Sequence, residues 1–78
     1  MKEIDDKITR IKSMYNACAK NFNKYLSDHD MKAYNKRSME IKKMYGGETD
    51  IVNLLWWFAP KVQTIHDEWR KEHGESIR

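Results

Sequence analysis

The sequence of 78 residues contains one cysteine, one proline and three glycines. The lone thiol, Cys18, excludes an internal disulfide, so the staple that holds many small secreted domains is missing. So little Gly and Pro excludes a collagen-like chain or a flexible linker. No apolar run approaches the ~20 residues of a membrane span. The longest, Ile51 to Ala59, is nine residues long and is interrupted by Asn53. The opening Met1-Lys2-Glu3-Ile4-Asp5-Asp6 is charged and no apolar stretch follows it. No signal peptide is therefore read, and the expectation is a cytoplasmic protein with no membrane contact.

Catalytic and cofactor motifs are also missing. Gly46-Gly47 is not followed by the Lys-Ser/Thr of a phosphate loop. His29, His66 and His73 are the only histidines. His66 and His73 share one face of a helix, with Glu72 and Glu75 nearby. They lack the H-E-x-x-H pattern and a cysteine partner, so the reading is exposed flank histidines and no metal. Cys18 lies on an apolar seam and reads as a small buried hydrophobe. A chain of this size buries only ~60–65% of its unfolded surface, which leaves little room for a deep cleft. The expectation is a non-enzymatic protein without cofactors.

Charge is plentiful, at 35% of residues, and sums to +3. Residues 1–27 carry six basic against three acidic side chains, residues 28–47 five against three, and residues 48–78 four against six. Lys32, Lys36, Arg37, Lys42 and Lys43 form the candidate basic face, and a pI near 9.0 invites a nucleic-acid reading. Mixed signs are also ordinary helix solvation. Eleven lysines against four arginines, with abundant Asn, Ile and Met, resemble the output of an AT-rich genome, such as a low-GC bacterium or its phage.

The strongest signal is apolar periodicity. Ile4, Ile8, Ile11, Tyr15, Cys18, Phe22 and Tyr25 recur at spacings of four and three, the seam of a packed helix. The phase then resets to Met31, Tyr34, Ser38, Ile41 and Tyr45. Ser27-Asp28-His29-Asp30 supplies cap chemistry at the junction. Gly46-Gly47 closes the second helix, and Thr49 or Asp50 offers the next cap. A third seam runs Ile51, Leu55, Phe58, Val62, Ile65, Trp69, with Pro60 inside it as a kink or a break. The predicted fold is all-α, a three-helix bundle or an extended helical hairpin. Its helices are expected near residues 3–26, 28–45 and 50–73. Residues 1–74 form one domain and 75–78 a frayed tail.

Ile4-Asp5-Asp6-Lys7-Ile8 resembles the opening of the all-helical chorismate mutases over five residues. That family needs several arginines and a lysine converging on a dicarboxylate. Arg10 and Arg37 are the only arginines before Arg70, so the resemblance implies no activity here.

The third helix has more apolar surface than its seam requires. Val52, Trp56 and Ala59 form a second stripe, and Trp57 lies on the opposite flank. A segment apolar nearly all round is buried all round or meets something else. These four residues are the candidate protein-binding surface, and the partner is foreign or a second copy in a homodimer. The reading is a small module that occupies a surface on a larger protein, in the style of phage or mobile-element inhibitors of host machinery such as defence nucleases. The alternatives are a homodimeric structural bundle and a basic nucleic-acid accessory protein.

Overall fold

The computed structural model describes residues 2–73. The expected tail at 75–78, and the last residue of the expected domain, lie outside the described residues. Three helices account for the described chain: α1 (Lys2–Asp28), α2 (Met31–Met44) and α3 (Thr49–Glu72). They pack as an elongated three-helix bundle of 54 × 18 × 16 Å. Cross-helix bonds give the directions. Asn21 of α1 meets Tyr34 and Ser38 of α2, and Ser13 meets Tyr45, so α1 and α2 are antiparallel. Arg10 meets Asp50 and Tyr25 meets His66, so α1 and α3 run parallel with an offset of about forty residues.

The connections are short and chemically specified. His29 closes α1 in the left-handed region, at φ 53°, with its N–H on the Tyr25 carbonyl. Asp30 caps α2 by accepting the Ala33 N–H at 3.0 Å. Gly46 and Gly47 both have positive φ, which lets their N–H groups fold back onto the Lys43 and Lys42 carbonyls. The cap of α3 is Glu48, one residue before the expected Thr49 or Asp50, and its side chain makes no cap bond. Asp50 works sideways instead. It accepts two bonds from the Arg10 guanidinium, at 2.8 and 3.1 Å, which hold its carboxyl below the usual carboxylate range. The helix is unbroken at Pro60. The missing proline N–H deprives the Trp56 carbonyl of its helical donor. Nearby side chains tie down this turn, with Thr64 Oγ1 donating to the Pro60 carbonyl and Lys61 Nζ to the Trp57 carbonyl.

The core has two adjoining parts. Met14, Cys18, Ile41, Ile51 and Phe58 fill one, and Tyr25, Tyr34 and Val62 fill the other, with Phe22 packed against both. This corrects the expected seam of α1. Its buried side chains are Met14, Cys18, Asn21 and Tyr25, while Ile4, Ile8, Ile11 and Tyr15 are exposed. Length is the physical reason for half of this. Residues 2–9 of α1 are all exposed, because α3 begins beside Arg10 and α2 ends near Ser13. Orientation is the other half. At about 100° per residue, Tyr15 lies about 80° and Ile11 about 40° from the Met14–Cys18 direction that faces the bundle.

Ile51 is fully buried in the core. Ile51→Ala is expected to lower stability by about 2–5 kcal/mol, whereas Ile8→Ala is expected to change it by less than about 0.5 kcal/mol. Urea unfolding followed by circular dichroism measures both.

Candidate functional site

Val52, Trp56 and Ala59 stand on the side of α3 that faces α2. There they line a groove of about 390 Å³ together with Leu55. Its other wall is Tyr34, Asn35, Ser38, Met39 and Lys42 of α2. Val52 and Leu55 pack against the core beneath, so they form the floor. Trp56 and Met39 form the rims, at 70% and 63% exposed. Each is an apolar side chain of high contact value held in water on a rigid helix.

Trp57 does not belong to this groove. It stands on the other flank of α3, 55% exposed, with its ring edge against Phe58 and the Lys61 ammonium 3.9 Å from its centroid. The four residues read together in the sequence are therefore divided between two surfaces of α3.

The expected basic face is also divided. Lys32, Lys36, Lys42 and Lys43 are exposed, and Lys42 sits on the groove of Trp56. Arg37 turns toward α1. Its Nε donates to Asn21 Oδ1 at 2.6 Å, and its Nη2 is buried without a hydrogen-bond partner. Asn21 in turn donates to the Tyr34 carbonyl and to Ser38 Oγ, at 3.3 and 3.1 Å. This amide is the one buried polar side chain among the described core residues, and it ties α1 to α2 through three partners. Arg37 and Asn21 line a larger groove of about 750 Å³ between α1 and α2, with Lys12, Lys20 and Glu40. Its charged and polar residues carry no periodicity that marks it in the sequence, and of its apolar ones, Ile41 and Tyr45 read there as the α2 seam.

The histidines converge on one indole. His29 stacks on Trp69 at 4.6 Å, His73 at 4.5 Å, and His66 lies 5.9 Å away. His66 Nδ1 also meets the Tyr25 hydroxyl at 2.7 Å. His73 is exposed as expected, while His66 and His29 are half-buried, and all three pack on the Trp69 ring. No group of three His, Cys, Asp or Glu side chains among the described residues is placed to hold a metal. Burial pushes the Cys18 thiol up, away from the thiolate a nucleophile needs. No described helix is long and apolar enough to cross a membrane. No protein-family model, no characterised protein and no solved structure matches the chain.

Removing Asn21 leaves the Arg37 Nε without its acceptor. Asn21→Leu is expected to destabilise the chain by about 2 kcal/mol, and Arg37→Leu added to it to recover most of the loss. A double-mutant cycle by thermal unfolding measures the coupling.

Proposed function

We propose that this chain is a non-enzymatic protein-interaction module that takes part of a larger protein into the α2–α3 groove. Trp56 carries the reading. A folded monomer has reason to bury so large an apolar side chain, yet this one stands on the rim of a groove whose floor is apolar and rigid. Met39 opposes it from a different helix, so the feature is a two-walled groove rather than a single stray residue. A segment inserted there would cover Trp56, Met39, Val52 and Ala59 together. Lys42 at the edge favours an acidic or carbonyl-rich flank on that segment.

The proposed consequence of binding is occupation of the partner's surface, with no chemistry at the groove. The narrower reading, an inhibitor of host machinery such as a defence nuclease carried by a phage or mobile element, rests on the chain's size and composition alone. The nucleic-acid alternative draws less support from the geometry, because Arg37 is committed to Asn21 and the remaining lysines are spread along α2.

Trp56→Ala is expected to weaken capture of the partner by about thirtyfold or more, with helical circular dichroism and thermal unfolding unchanged. Trp57→Ala is expected to leave capture intact. Affinity capture from a low-GC bacterial lysate with the three proteins in parallel measures this. A partner held equally by the Trp56 variant contradicts the reading, as does loss of fold in that variant.

A further inference from the structure

The uncovered half of α1 is a second apolar surface. Ile4, Ile8, Ile11 and Tyr15 keep the spacing of a helix-pairing seam, and all four are exposed. The first eight described residues project past the start of α3 by about 12 Å at 1.5 Å per residue. A seam of this period is complementary to another helix, and no helix of the bundle covers it.

We propose that two copies of the chain pair through this stretch, antiparallel and about a two-fold axis between residues 9 and 10. Three observations choose a second copy as the occupant and fix its direction. The first is the length of the arm. In antiparallel register Ile8 meets Ile11 of the second copy and Ile4 meets Tyr15. Each projecting arm then lies along the other's bundle, and the two bundles point away from each other without collision.

The second is charge. Ile8 and Tyr15 are at the a positions and Ile4 and Ile11 at d, which places Asp5 and Lys12 at e and Lys7 at g. Antiparallel pairing brings e against e, so Asp5 faces Lys12 of the second copy, twice by symmetry. Parallel pairing sets Lys7 against Lys12, a like-charge contact.

The third is area. A compact monomer of 9.4 kDa exposes about 5,000 Å², and this molecule exposes 5901 Å². The excess belongs to an elongated molecule of 54 × 18 × 16 Å, and the projecting arm of α1 is part of it. Trp57 lies at the level of Asn16 and Ala17 by the forty-residue offset between α1 and α3. The end of the second copy's arm reaches that level. The self-contact uses neither Trp56 nor Met39, so it stands apart from the α2–α3 groove and leaves one such groove open on each copy.

Sedimentation equilibrium across the micromolar range is expected to show a dimer. Ile8→Glu is expected to weaken it about tenfold or more while helical content is kept, since Ile8 lies outside the bundle. Trp56→Ala is expected to leave it unchanged. Lys12→Asp sets Asp5 against an aspartate and is expected to weaken the dimer, and Asp5→Lys added to it to restore the affinity. A monomer at every concentration overturns the proposal, as does a dimer indifferent to Ile8→Glu. Tightening by Lys12→Asp overturns the antiparallel arrangement. Loss of the dimer in Trp56→Ala places the self-contact in the groove and overturns both readings.

Discussion

The shortness of α2 governs the rest of the molecule. Fourteen residues make a helix of about 21 Å, and α1 and α3 run to about 40 and 36 Å. A short helix packed beside two long parallel ones leaves the buried side chains in the C-terminal half of α1 and the N-terminal part of α3, and the opposite ends of both wet. The apolar residues do not follow that limit. The seam of α1 begins at Ile4, well before the first packing partner, and α3 carries apolar side chains on three sides between Val52 and Ala59. The result is a bundle with a dense centre, where Tyr25, Ile51 and Val62 are wholly buried, and with large apolar side chains in water around it.

What joins the centre is partly polar. Asn21 takes a position that a three-helix core would ordinarily give to a leucine. It uses both ends of its amide, donating to α2 and accepting from Arg37. Buried polar clasps of this kind hold one register better than apolar contacts, because a slip leaves the donors unpaired. Ser38, the small polar residue in the middle of the α2 seam, is part of this clasp. That small polar position in the seam is where α1 and α2 are fastened. The far end is held by stacking, with His29 kept in a left-handed turn so that its ring lies flat on Trp69.

The helices and their order were legible because they rest on local chemistry: a seam that changes phase after Tyr25, cap residues between Ser27 and Asp30, paired glycines at 46 and 47. The first junction falls later than expected, since α1 runs to Asp28 and α2 starts at Met31 rather than near 28, because Asp30 and not an earlier residue caps it. The stripe of Val52, Trp56 and Ala59 was legible for the same reason, since one helix carries all three. Contributions from other helices were not. Nothing in the α3 pattern announces that Met39 forms the opposite rim, and nothing in the spacing of three histidines says that they meet at Trp69. The α1 seam misled because periodicity marks an apolar face without stating what covers it. From Cys18 onward the cover is the bundle, and before that it is solvent or a second chain.

Under the two proposals, this architecture's two apolar surfaces go to different partners. The α1 seam is regular and self-complementary in charge, as a contact between identical helices requires. The α2–α3 groove is irregular, walled by a tryptophan and a methionine, and suited to a partner of another shape. The central claim is that Trp56 stands in water on the rim of a folded groove rather than within the core. Acrylamide quenching of Trp56 fluorescence in a chain carrying Trp57→Phe and Trp69→Phe tests it most directly. The account predicts quenching close to that of free indole while the chain is folded. Strong protection with blue-shifted emission in the folded chain would contradict it.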